Sequence, residues 1–151
     1  MSKYAGVRHK PGQSVIYWFE IPEHLAPMVT MNSQVLCNTS RGQADGTVVA
    51  IIDGCKQNEA KKIIGNHFPL KKIIAVKTSL DIDKIHIPFD MQAYGGDLDD
   101  IYGTIEAYCA IGYFPRAVKF SVNNDLIQGY SEYLVAKMFD HCTLEGYYVS
   151  E

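Results

Sequence analysis

Residues 126–137 read LIQGYSEYLVAK, a short apolar run, a glycine and a helix-forming segment around which the C-terminal half is organised. A helix is expected from about Tyr130 to His141, because Tyr130, Leu134 and Met138 recur at helical spacing on one face. Working outward, Asn123-Asn124-Asp125 reads as a tight turn, Ala117 to Val122 as a strand and Tyr147 to Val149 as a short closing strand. Upstream, Leu98, Ile101, Tyr102, Ile105, Tyr108 and Cys109 recur at three- and four-residue steps and form the apolar stripe of a second helix. Asp97 caps it, Gly112 ends it and Pro115 prevents its resumption. Leu80 to Pro88 alternates as LDIDKIHIP with a slip at Asp83-Lys84, which predicts a strand with a bend.

The N-terminal half has a different rhythm. Tyr4 to His9 and Val15 to Ile21 read as a hairpin around Lys10-Pro11-Gly12-Gln13. Gln34 to Thr39 and Gly46 to Ile52 read as two more strands, separated by Ser40 to Asp45. Four short strands within about fifty residues favour closure into a small β-barrel, with Val15, Tyr17, Val35 and Val48 facing inward. Gln57 to Ile64 reads as a short helix and Lys71 to Lys77 as a strand. The expected organisation is a barrel over 1–55, a junction over 56–78 and a compact α+β domain over 79–151, an α+β fold overall.

Composition narrows the chemistry. In a chain of 151 residues, 47% are apolar and 21% charged, which fits a folded protein. No segment approaches the roughly 20 apolar residues of a membrane span, and the first residues lack the apolar run of a signal sequence, so a cytoplasmic location is expected. Residues 56–77 carry six Lys against Glu59 alone, whereas the chain from Asp81 onward is dominated by acids. Contact with a phosphate backbone would therefore favour the middle of the chain. Cys37, Cys55, Cys109 and Cys142 show no CxxC pairing and read as reduced, mostly buried thiols. His9, His24, His67, His86 and His141 show no ligand spacing, and no nucleophile elbow is present. The acidic run Gly95-Gly96-Asp97-Leu98-Asp99-Asp100 has two readings, a Mg²⁺ or Ca²⁺ loop or, more simply, a turn with a helix cap and acids at the positive helix end. No metal and no cofactor is expected.

The segments LDIDKIHIPFDMQ, AIGYFPRAVKFSV and LIQGYSEYLVAKMFDHCTLEGYYV resemble, in order, the N-terminal domain of the ParB/sulfiredoxin superfamily, over about half the chain. The resemblance centres on Leu126 to Lys137, where ParB-like proteins show a pattern close to DGYxRYLAAK. It implies a turn and helix N-terminus that bind a nucleotide phosphate, chemistry suited to free amides and the helix dipole. Gly129, Tyr130, Tyr133, Leu134, Ala136 and Lys137 fit the pattern. The usual Asp falls on Gln128 and the usual Arg on Glu132, which reverses a charge. The positions of a degenerate phosphate site are thus Gln128, Gly129, Tyr130, Ser131 and Glu132, where tight phosphate binding would need a compensating cation. Sulfiredoxin's cysteine falls on Tyr130, so that chemistry is not expected. YAGVRHKPGQSVIYWFEIP and VLCNTSRGQADGTVVAI are similar to the barrel of RicT-type proteins, through Gly6, Val7, Arg8, Lys10, Pro11, Tyr17, Phe19, Thr39, Arg41, Gly42, Gly46 and Val48.

The functional expectation is a non-catalytic binding or regulatory protein on a degenerate ParB-like scaffold, engaging a macromolecular partner. The resemblance suits a phage or mobile-element setting, including an accessory or anti-defence role. One alternative is a CTP- or ATP-binding switch or NTPase that uses Gly129 and the amides of Tyr130 and Ser131. Another is nucleic-acid binding through Arg8, Lys10 and Arg41 on the barrel, with Tyr17 and Trp18 beside them, and Lys61, Lys62, Lys71 and Lys72 in the junction. Tyr102, Tyr108, Tyr113, Tyr130, Tyr133, Tyr147 and Tyr148 mark either an interface or a small core, which solvent exposure separates.

Overall fold

Alternating apolar residues and short turns organise the first half of the chain into strands, and a computed structural model describes residues 2–55, 57–65 and 70–149. The protein is α+β and divides into two units between Lys77 and Thr78. The residues read as a junction, up to Lys77, fall in the first unit. His67 lies outside the described residues, as does the Cys55 side chain.

The first unit contains β1 (Ser2–Arg8), β2 (Tyr17–Ile21), β3 (Gln34–Thr39), β4 (Gly42–Cys55), helix α1 (Gln57–Ile64) and most of β5 (Ile73–Asp81). The strands lie in the order β2-β1-β4-β3-β5, with antiparallel neighbours. β4 pairs with β3 through Gly42–Thr47 and with β1 through Thr47–Cys55. The two outer strands are also tied together: Glu20 N donates to Lys71 O at 2.9 Å, and Glu20 faces Lys72 in an isolated parallel bridge.

Val35 and Val48 are buried as expected, but Val15 and Tyr17 are 50% and 47% exposed. Val15 precedes the strand, and Tyr17 sits at its open end with its ring 5.4 Å from that of His9. Phe19 and Ile21 are the inward residues of β2. Ser40 to Asp45 is not a six-residue loop. Thr39 pairs with Gly42 across a turn at Ser40-Arg41. The Thr39 hydroxyl donates to Gly42 O at 2.7 Å and accepts from Arg41 N, which lets Gly42 to Asp45 enter the strand.

The second unit contains α2 (Phe89–Tyr94), α3 (Leu98–Ile111), β6 (Lys119–Phe120), β7 (Leu126–Gln128), α4 (Tyr130–Met138) and β8 (Thr143–Val149). β8 runs parallel to β6, and β7 antiparallel to it. The expected strand Leu80 to Pro88 is interrupted. β5 ends at Asp81, and Ile82–Lys84 form one 3-10 turn that places Ile82 and Ile85 together in the core. The slip in alternation is therefore a change of backbone geometry, after which His86 bridges Asp125. Ala117 to Val122 contributes only Lys119–Phe120 to the sheet, and the last helix stops at Met138, which is 58% exposed.

Phe120 has no solvent exposure and packs in one core cluster with Val118, Leu126, Leu144, Ile82, Ile85, Tyr133 and Ala136. β8 can approach β6 because residue 146 is glycine: a Cβ there would stand 2.6 Å from both Val118 O and the Phe120 ring. The Asp97 carboxylate accepts from Asp99 N at 2.9 Å and Asp100 N at 3.4 Å, and Gly112 closes α3 in the left-handed conformation, so both helix signals hold. The expected stripe does not hold throughout. Ile101 and Thr104 are buried, whereas Leu98, Tyr102 and Cys109 are exposed.

Candidate functional site

Gly129 enters α4 at φ 107°, a left-handed conformation that suits glycine, and no side chain caps the helix. A cleft of about 430 Å³ opens there, lined by Met91, Tyr94, Gly96, Asp97, Asp100, Arg116, Ala117 and Gln128 to Glu132. All five positions identified from sequence, Gln128, Gly129, Tyr130, Ser131 and Glu132, line this one cleft.

The Glu132 side chain is only 3% exposed. It shares the buried face of α4 with Val135 and Ala136, at three- and four-residue spacing. Burial of a carboxylate requires a partner, and Arg116 supplies it: Nε donates to Glu132 Oε2 at 2.8 Å. The other end of the guanidinium grips Asp100 bidentately, Nη1 to Oδ1 at 2.7 Å and Nη2 to Oδ2 at 3.0 Å. Nη2 also donates to Thr104 Oγ1 at 2.8 Å. Four of the five guanidinium N–H donors are thereby engaged. The Ser131 hydroxyl donates to Asp100 Oδ2, so it too is committed within the protein.

These contacts set the charge states. The hydrogen bond from Arg116, then that from Ser131, holds the Asp100 carboxyl down at about 2, below the usual carboxylate range. Asp100 in turn raises the Arg116 guanidinium above its already high value. Two carboxylates against one guanidinium leave the cluster with an excess negative charge, and Asp97 adds to it at the rim. Asp100 thus serves Arg116 and Ser131 as well as the start of α3, a fuller role than acids at a positive helix end.

The basic residues read from the sequence lie in the first unit. The β3–β4 turn and the start of β5 share one end of that sheet, Asn38 N donating to Lys72 O at 3.0 Å, whereas Arg8 at the end of β1 pairs with Thr47 and so lies level with Gln34, at the start of β3. The turn end carries Arg41, Lys71 and Lys72, while Arg8, Lys10 and exposed Tyr17, at the start of β2, lie where β1 leads into β2. Lys10, Arg41, Lys71 and Lys72 are exposed, while Arg8 is half-buried with its Nε unpartnered. Trp18 is half-buried. Lys61 and Lys62 lie on α1, exposed, after the opposite end of β4.

Of the described cysteine side chains, Cys37 alone is buried; Cys109 and Cys142 are exposed, contrary to the expectation of mostly buried thiols. Burial, then the charge of Asp45, pushes the Cys37 thiol up to about 12. Tyr133 joins the core, Tyr108, Tyr130, Tyr147 and Tyr148 are half-buried, and Tyr102 and Tyr113 are exposed. No helix among the described residues is long and apolar enough to cross a membrane, and no group of three or more His, Cys, Asp or Glu among them is placed to hold a metal ion.

Arg116 is the residue that sequence reasoning missed. It is the only arginine after position 77, and its signal was Glu132 itself, an acid on an apolar helix face that had to find a cation. The chain matches no family model, no curated protein and no solved structure.

Proposed function

We propose that the protein is a non-catalytic binding or regulatory protein whose second unit is a ParB-like scaffold turned from nucleotide binding to macromolecular partners. One observation carries this reading: carboxylates occupy the cation that a phosphate would need. A bidentate carboxylate fills the arginine fork much as a phosphate does. Here Asp100 holds that fork from inside the protein, Glu132 takes Nε, and Ser131 is spent on Asp100. An incoming phosphate would have to displace a carboxylate from Arg116 while facing the remaining negative charge. The first unit, with its outer strands tied through Glu20 and Lys71, is on this reading a small barrel of the RicT type. A phage or mobile-element origin, with an accessory or anti-defence role, belongs to the same proposal and rests on the resemblance alone.

Calorimetric titration with CTP and ATP, with and without Mg²⁺, tests it. The expected result is no saturable heat; micromolar binding would return the cleft to the nucleotide-switch reading. The native chain is the right sample, because Glu132→Arg would bury a second guanidinium against Arg116.

A second reading, nucleic-acid binding by the first unit, is favoured by Arg41, Lys71 and Lys72 at one end of its sheet and by Arg8, Lys10 and exposed Tyr17 where β1 leads into β2. With all five on phosphates of a single strand, log K should fall against log salt with a slope of about −3.5. Replacing Arg8, Lys10 and Arg41 by Ala should flatten that slope by about 2. Fluorescence anisotropy with labelled oligo-dT measures both, and an unchanged slope in the triple variant would remove this surface from consideration.

A further inference from the structure

We infer that the α2–α3 surface of the second unit docks a basic, amphipathic segment of a partner protein. The inference rests on the macromolecule-binding reading and names the partner class.

α3 has two apolar sides. Ile101 and Thr104 are buried within the unit, but Leu98 and Tyr102, one helical turn apart, are 67% and 61% exposed. On α2, just before them, Phe89 is 80% and Tyr94 71% exposed. These four side chains leave on the order of 500 Å² of largely apolar surface exposed in total, the size of the largest patch on a typical monomer, which is often functional. Large aromatic side chains of this kind are the usual anchors of protein interfaces.

Charge selects the occupant. Residues 89–112 contain Asp90, Asp97, Asp99, Asp100 and Glu106 and no Lys or Arg. Among the described residues Asp90, Asp99 and Glu106 make no ion pair, whereas Asp100 is held by Arg116. Across residues 78–151 there are twelve Asp and Glu against four Lys and Arg. Such a surface repels phosphates, which disfavours nucleic acid and anionic membrane, and a second copy docked face to face would bring one acidic surface against another. A segment with apolar residues on one side and Lys or Arg along its margins satisfies both features: the exposed apolar side chains supply affinity, and the acids supply orientation and association rate.

The test uses the full chain and a fluorescein-labelled amphipathic peptide of Leu and Lys, with a Leu and Glu peptide of equal length as control, followed by anisotropy. The Lys peptide should bind saturably in the micromolar range and the Glu peptide should not. Leu98→Ser with Tyr102→Ser should weaken binding about tenfold or more, and Asp99→Asn with Glu106→Gln should weaken it severalfold and flatten its salt dependence. Circular dichroism confirms that these exposed substitutions leave the fold intact. Equal affinity for both peptides, or affinity unaltered by the Leu98/Tyr102 pair, would overturn the proposal. So would self-association by sedimentation that the pair abolishes and the Lys peptide does not compete with, since the occupant would then be a second copy. The nucleotide titration on the same sample stands apart: CTP or ATP binding would defeat the underlying reading whatever the peptide does.

Discussion

Arg116→Ala should destabilise the second unit by about 3 kcal/mol, the lower end of the range for removing one partner of a buried ion pair, because the arginine side chain is itself half exposed. The loss has two parts. Glu132, 3% exposed, would remain buried without its cation, and Asp100 would lose its bidentate partner. Urea unfolding followed by circular dichroism measures the change as a lower midpoint at constant slope. Arg116→Ala combined with Glu132→Leu should recover much of the loss, since an apolar residue at this position leaves no charge to neutralise. The Asp100 carboxyl, depressed to about 2, adds a pH signature. A carboxyl whose folded value lies below its unfolded value contributes stability that is full above the unfolded value, near 4, and is lost as pH falls toward 2. Arg116→Ala should diminish that acid limb. A variant as stable as the native protein, with the same acid limb, would show that the cluster is a surface contact.

Phe120→Ala should cost about 3 to 5 kcal/mol, because the ring is wholly buried and its removal leaves a cavity that cannot readily collapse. β6 and β8 are held in parallel register at this point, Phe120 opposite Tyr148, and Val118 O accepts from Tyr147 N at 2.9 Å. Small domains have total stabilities of about 5 to 15 kcal/mol, so the variant should be partly unfolded at moderate urea. Phe120→Leu should cost much less. A loss under 1 kcal/mol for the alanine variant would place the centre of the core elsewhere.

Local signals carried much of the architecture. Asp97 and Gly112 bound α3 because a carboxylate cap and a left-handed glycine act within one helical turn, and β3 fell on Gln34–Thr39 because its flanks are turn residues. Long-range pairing was not legible. Gly42 to Asp45 are weak strand formers, and they are extended because β3 lies opposite them. Leu98 and Tyr102 have the spacing of core residues, yet the unit covers only the other side of α3. The five positions of the cleft were readable from the helix start, but its electrostatics were not. Glu132, taken alone, signalled repulsion of phosphate; that Arg116 neutralises it from inside, with Asp100 sharing the guanidinium, depends on three segments far apart in sequence.

The function proposed for the cleft turns on Arg116 being committed within the protein and not reaching for a phosphate. ¹⁵N-resolved NMR of the Arg116 Nε–H and of the Tyr130, Ser131 and Glu132 amides, recorded while CTP is added, puts this to the test. A slowly exchanging Nε–H resonance that stays in place throughout the titration, along with the three amides, is expected. Saturable shifts in these signals would contradict it, because the guanidinium would then be exchanging its carboxylates for the nucleotide.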